Sequence, residues 1–259
     1  MPTTRPEYFD RYPTIAFERD AAGILTLRLH SDGGPVVYSP QHHSDWSRAF
    51  RDVAQDRANA VVILTGTGDE FLRQMSWDDP LSTPHDWDRI YFEGKHLLRD
   101  LLSIEVPVIG VVNGPARIHA ELAVLSDITL ASTTADFQDA AHVPLGAVPG
   151  DGVHVVWQAL LGVNRARYFL LTGQILSAAE ALALGVVNEV VEPARLMERA
   201  REHARKLAAL PLLTRRYARV VLTQRLRRLL DEGLGYGLAL EGMAFVDHPA
   251  AGVTPRPRG

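Results

Sequence analysis

Ten histidines, 31 acidic residues and no cysteine set the chemistry open to this 259-residue chain. The missing thiols exclude disulfides, thiolate zinc sites, iron–sulfur clusters and a cysteine nucleophile. What remains is imidazole and carboxylate chemistry. His119 lies in Asn113-Gly-Pro-Ala-Arg-Ile-His-Ala-Glu121, directly after an apolar run, and His142 lies in Asp139-Ala-Ala-His-Val-Pro-Leu-Gly146. By itself each is as well explained as a solvated loop imidazole. Asp151 follows Val148-Pro-Gly, where an aspartate commonly caps the helix behind it. His142 and Asp151 share one Pro/Gly-rich loop at a spacing of nine, which permits contact. A carboxylate facing an imidazole N–H fixes its tautomer and raises its basicity. Glu241, in Leu238-Ala-Leu-Glu-Gly-Met-Ala-Phe245, either faces solvent or enters a site with a raised pKa. Tyr38, in Val36-Val-Tyr-Ser-Pro40, is either packing or a phenol donor. The adjacent His42 and His43 are not expected to share one metal ion.

The elements that must position these groups follow from apolar patterning. Residues 15–17 and 24–29 read as strands joined by a turn at Asp20-Ala-Ala-Gly23. Residues 60–65 and 107–112 are short, fully apolar strands, stopped by Gly66-Thr-Gly68 and Asn113-Gly-Pro115. Residues 43–53 and 87–103 carry apolar positions at helical spacing, and 128–131 and 135–137 are further short strands. From residue 152 onward the chain reads as mainly helical, apart from 186–191. Apolar strands alternating with helices predict an α/β core around a parallel sheet. The expected division is a core over 1–194 and a helical region over 195–259, with an unstructured tail at 252–259. Arg215, Arg216, Arg219, Arg225, Arg227 and Arg228 read as a solvated or subunit-contacting helix face.

Charge and composition narrow the function. Lys and Arg number 27 against 31 Asp and Glu, so the net charge of −4 argues against nucleic acid as a partner. The first residues lack an apolar run and no stretch is long enough to span a bilayer, so a cytoplasmic protein without a membrane partner is expected. G-x-S-x-G, P-loop, H-E-x-x-H and strand-linked G-x-G-x-x-G patterns are absent.

Taken together, Val61-Val-Ile-Leu-Thr-Gly, Glu105-Val-Pro-Val-Ile-Gly-Val-Val-Asn-Gly-Pro, Glu121-Leu-Ala-Val-Leu-Ser-Asp127 and Leu145-Gly-Ala-Val-Pro-Gly150 resemble the crotonase (enoyl-CoA hydratase/isomerase) superfamily from about residue 15 to 245. The resemblance implies a spiral of ββα turns with a helical C-terminal part that builds homotrimers or dimers of trimers. It also exposes departures. The family's glycine run after Asn-Gly, whose backbone N–H helps hold a thioester enolate, is replaced by Arg117-Ile-His119-Ala. The second oxyanion segment reads Phe71-Leu-Arg-Gln-Met-Ser-Trp-Asp. The hydratases' second catalytic glutamate is His142, and their first aligns with Glu121.

The chain is similar to one branch that shares these changes, 6-oxocamphor hydrolase and related β-diketone hydrolases. Ile63-Leu-Thr-Gly-Thr-Gly68, Thr83-Pro-His-Asp-Trp-Asp88, Val148-Pro-Gly-Asp-Gly-Val-His-Val-Val-Trp157 and Arg167-Tyr-Phe-Leu-Leu-Thr-Gly-Gln174 carry that likeness. It implies that His142 and Asp151 form a water-activating dyad, that His119 holds a substrate carbonyl, and that Glu241 is the active-site glutamate. It places His43 near the substrate and Tyr38 where the branch has a hydrogen-bonding tryptophan. The implied reaction is retro-Claisen cleavage of a cyclic or bicyclic β-diketone to a keto acid, without cofactor or metal. The alternatives are a CoA-thioester hydratase or isomerase and an inactive scaffold of the same fold.

Overall fold

The Asp20 turn starts the chain's first hairpin: its carboxylate accepts hydrogen bonds from the backbone N–H of Ala22 and Ile24. In this computed structural model, which describes residues 5–79, 81 and 83–247, the hairpin pairs β1 (Ile15–Arg19) with β2 (Ile24–Leu29) in antiparallel register. Every later strand of the main sheet is parallel to its neighbour. The elements run β3 (Val37–Tyr38), α1 (Pro40–Gln55), β4 (Val61–Thr65), β5 (Gln74–Met75), α2 (Pro84–Ser103) and β6 (Val108–Val112). They continue with α3 (Glu121–Val124), β7 (Ile128–Ser132), β8 (Asp136–Phe137), α4 (Val153–Leu161), α5 (Val163–Thr172), β9 (Leu176–Ser177) and α6 (Ala178–Ala183). The last are β10 (Glu189–Val191), α7 (Pro193–Ala208) and α8 (Leu212–Asp247).

The main sheet has the order β1-β2-β4-β6-β7-β10. β4 and β6 are buried along their whole length because both sheet faces are covered, as parallel sheets require. Alternation sorts their side chains: Val62, Leu64 and Val108 face the larger core, while Val61, Ile63, Ile109 and Val111 face Leu196, Ala200 and Ala204 of α7. The small strands form a second layer. β3 pairs with β5, β8 pairs with β9, and single bridges join Leu72 to Ala116 and Ala116 to Phe137. Each strand–strand–helix turn thus adds one rung to each layer, the ββα spiral that the sequence resemblance implies.

The arginine-rich stretch departs from expectation. Arg225 and Arg228 face solvent, but Arg215, Arg216 and Arg219 are buried. Arg219 donates to the carbonyls of Ile104 and Leu101 and to Asp127, and Arg227 donates to the carbonyl of Leu102. The carbonyls of Leu101 and Leu102, in the last turn of α2, carry the helix's negative end and lack intrahelical donors, so guanidinium groups from α8 complete them. The expected unstructured tail at 252–259 lies outside the described residues. Among the described residues no helix is long and apolar enough to cross a membrane.

Candidate active site

The loop after β6 is pinned first. Asn113 donates to the carbonyls of Gly68 and Glu70, and a Cβ on Gly114 would sit 1.7 Å from the carbonyl oxygen of Asp69, so only glycine permits this approach. Arg117 then grips Asp136 with a two-pronged contact at 2.8 and 2.6 Å. This sets His119, whose φ of +45° lies in the left-handed region that side chains avoid. Strain of that kind persists where the surroundings over-determine it. Here Glu121 holds the His119 Nδ1 at 2.6 Å, and the Tyr38 ring packs edge-on at 4.6 Å between centroids.

Three further segments converge on the same place. The loop before α4 brings His142, whose Nδ1 lies 2.6 Å from Asp139 Oδ1. The turn into α4 brings Asp151. One of its carboxylate oxygens accepts from the Val153 N–H, as a helix cap would. The other lies 3.4 Å from His119 Nδ1 and 3.5 Å from His142 Nε2. α8 brings Glu241, whose Oε1 is also 3.5 Å from His142 Nε2. α8 comes this close because Gly150 and Gly237 meet backbone to backbone: a Cβ on Gly150 would lie 2.2 Å from the Gly237 oxygen.

His119, His142, Asp151, Glu241 and Tyr38 are therefore neighbours, and His43 stands behind them. Its Nδ1 is 3.0 Å from Glu93 Oε2, with both residues buried and the ring beside Tyr38 and Trp77. His42 turns elsewhere, to Ser39 and Ser31, so the adjacent histidines serve separate partners.

Burial and charge oppose one another here. Burial lowers the pKa of His142, but Asp151 and Asp139 outweigh it and hold the imidazole well above 6.5. Burial is likewise outweighed at His119, which Glu121 and Asp151 raise to about 9. Asp151 is held far below the usual carboxylate range despite its burial, because both imidazoles face it. Burial wins at Glu241, pushed up to about 7 against the pull of His142, and at Tyr38, whose phenol stays protonated. It also wins at His43, whose pKa falls despite Glu93. The cluster thus offers a protonated phenol at Tyr38 and two imidazoles, His119 and His142, whose hold on a proton is strengthened by the carboxylates that face them.

His119, Glu121 and Asp151 could in principle offer donor atoms to one cation, since those atoms lie within 4.8 Å of each other. His119 Nδ1 and Glu121 already occupy each other in a 2.6 Å hydrogen bond, so the cluster is accounted for as ion pairs. Several polar atoms are left over. Among the described residues, Tyr38 Oη, Glu121 Oε2, Asp139 Oδ2, Glu241 Oε2 and Trp77 Nε1 are buried without a protein partner. Native proteins rarely leave such atoms unpaired except where a ligand or water completes them.

Three of these neighbours do not emerge from the sequence. Asp139 precedes His142 by three residues through an irregular loop. Glu93 carried a signal, because it falls in the apolar stripe of α2 with Ile90, Leu97 and Leu101. Trp77 lies in the altered oxyanion segment and is brought to Tyr38 by the β3–β5 pairing and the Ser76 N–H to Tyr38 carbonyl bond.

Residues 22–250 match the enoyl-CoA hydratase/isomerase family. A probable peroxisomal enoyl-CoA hydratase of Arabidopsis thaliana is 30% identical over 239 residues, covering 88% of this chain and 83% of the plant protein. The solved β-diketone hydrolase of the cyanobacterium Anabaena sp. PCC 7120, bound to (S)-3-oxocyclohexyl acetic acid, superposes with a TM-score of 0.91 at 49% identity. That likeness covers 94% of this chain and 98% of the cyanobacterial one. An enoyl-CoA hydratase/isomerase from Mycobacterium paratuberculosis gives 0.83 at 26% identity, covering 92% and 96%. With the family matched over residues 22–250 and a relative of 30% identity covered over most of its length, one conclusion follows: this chain is a member of the enoyl-CoA hydratase/isomerase, or crotonase, family.

Proposed function

We propose that this crotonase-family enzyme hydrolyses a carbon–carbon bond of a cyclic or bicyclic β-diketone. The observation that carries the reading is the pair of imidazoles, His119 and His142, set on either side of Asp151. An enolate-binding loop needs bare backbone N–H groups, whereas this loop presents an imidazole instead. The likeness to the Anabaena enzyme supports the substrate class. Rejoining the carboxyl carbon of 3-oxocyclohexyl acetic acid to the ring carbon next to its ketone regenerates a bicyclic 1,3-diketone.

In this mechanism His142 Nε2 takes a proton from water held beside Glu241, and the resulting hydroxide adds to one carbonyl carbon. His119 and Tyr38 donate to carbonyl oxygen as charge develops there, each such donor being worth about 3 kcal/mol. The tetrahedral adduct then breaks its bond to the carbon between the two carbonyls. The electron pair passes into the second carbonyl as an enolate, and the proton on His142 returns to that carbon. The product is a keto acid, and no cofactor or metal takes part in these steps. His43, fixed by Glu93, shapes the wall behind Tyr38.

The test is incubation of bicyclo[2.2.2]octane-2,6-dione with wild type and H142A, without CoA, followed by NMR. Keto acid from the wild type alone is the expected result. Hydration of crotonyl-CoA with no action on diketones would replace this reading by the thioester one. Self-association belongs to the same proposal. Leu213, Tyr217, Val221 and Leu222 lie exposed on α8, and light scattering should return a homotrimer or a dimer of trimers.

A further inference from the structure

We propose that Asp139 is the positioning residue that fixes the tautomer of His142, while Asp151 works on the reacting side of that ring, between the two imidazoles. The geometry of the two ring nitrogens carries this assignment. His142 Nδ1 and Asp139 Oδ1 are 2.6 Å apart, too close for a water or a substrate atom to stand between them. Nδ1 is therefore committed to Asp139, and only Nε2 remains to accept a proton from water. Were Asp151 the orienting partner, Nε2 would carry the hydrogen and the base would be the sealed nitrogen.

The scaffold supports the same division. Asp139 is buried, and its loop is held to the small sheet layer by the Gln138 N–H on the Ala116 carbonyl and the Ala140 N–H on the Arg117 carbonyl. His119 has a short contact of the same kind, with Glu121 on its Nδ1 at 2.6 Å, although Asp151 faces that same nitrogen. Each imidazole thus has a short contact to its own carboxylate, and Asp151 is shared at 3.4 and 3.5 Å. When His142 takes the proton of water, the new cation forms beside Asp151. That carboxylate then acts by favouring the imidazolium, with no part in choosing the tautomer. The charged groups facing His142 are Asp139 from its own loop, Asp151 from the turn into α4, Glu241 from α8 and His119 from the loop before α3.

The catalytic part of this inference rests on the hydrolase reading, so its test has one arm that does not. The first arm is proton NMR of the low-field imidazole N–H, assigned by its loss in H142Q. The resonance should persist in D151N, vanish in D139N and return in D139E. Its survival in D139N, or its loss in D151N alone, overturns the assignment whatever the substrate. The second arm is the pH profile on a cyclic β-diketone. D139N should lose about 10³–10⁴-fold in kcat at every pH, as expected for a wrong tautomer. D151N should instead shift its acidic limb to lower pH and recover part of its kcat above that limb. If wild type turns over no diketone, the hydrolase reading fails and the NMR arm alone decides. D139S carries the same comparison if D139N does not fold.

Discussion

Two polar clusters, one around Arg219 at the end of α2 and one around His119 and His142, are finished differently. Arg219 of α8 is 1% exposed, yet each of its three guanidinium nitrogens has a partner, in Ile104, Asp127 and Leu101, and Asp127 also accepts from the Val108 N–H. The histidine cluster is somewhat more open, with the His119 and Asp151 side chains 10% and 14% exposed, and among the described residues Glu121 Oε2, Asp139 Oδ2, Glu241 Oε2 and Tyr38 Oη have no partner. A completed network rigidifies a fold, whereas an incomplete one costs stability and is kept for what completes it. Residue type does not separate the two regions, since both pair cations with carboxylates. What separates them is whether the protein alone closes the network.

The sharpest way to break that contrast is H142A. It should cost at least about 10⁴-fold in kcat for the diketone while the far-ultraviolet spectrum stays that of the wild type. The converse is R219M, which strands Asp127 and the carbonyls at the end of α2. Urea denaturation should show a loss of about 3–5 kcal/mol, with the folded fraction retaining its turnover number. A comparable loss of turnover number in folded R219M would erase the distinction.

E241Q tests the cost of incompleteness. Burial raises the Glu241 carboxyl from 4.5 to about 7, so the folded state binds its proton more tightly than the unfolded chain. That advantage is complete below about pH 4.5 and is lost as pH rises through 7. Glutamine has no proton to lose. The stability of E241Q relative to wild type should therefore climb between pH 4.5 and 7, by up to about 3 kcal/mol. Denaturation curves at pH 5 and 8 read the change, and a flat difference would sink it. The smallest effect is a displacement in pH. Because Asp151 and Asp139 hold the His142 imidazole well above 6.5, the base form accumulates only at higher pH. The acidic limb of kcat/KM should then lie above the ordinary imidazole range, with activity rising through it. A limb centred below 6.5 would assign the base to another group.

The sequence reveals the long elements and hides the short ones for a physical reason. β4 and β6 are apolar runs closed by glycine or asparagine, and α2 carries a stripe that only a helix can align. β3, β5 and β9 are two residues long, too short for any period, yet the β3–β5 pair brings Trp77 against Tyr38. The branch resemblance pointed to His119, His142, Asp151 and Glu241, and the fold places them side by side. It gave no hint of Asp139, because contact across three loop residues depends on how the loop is pinned. The arginine stretch divides, with Arg225 and Arg228 in solvent and Arg219 and Arg227 on α2, because charge pattern cannot tell a solvated guanidinium from one reaching the end of another helix.

The backbone contact between Gly150 and Gly237 also governs when the site comes into being. Glu241 reaches His142 only after α8 has docked against the start of α4, a pairing of segments far apart in the chain. Closing so long a loop is slow, so the histidine cluster should be among the last features to form in refolding. Diketone turnover would then lag behind the recovery of helical signal. On the ribosome, likewise, the chain cannot acquire a complete site before α8 has emerged.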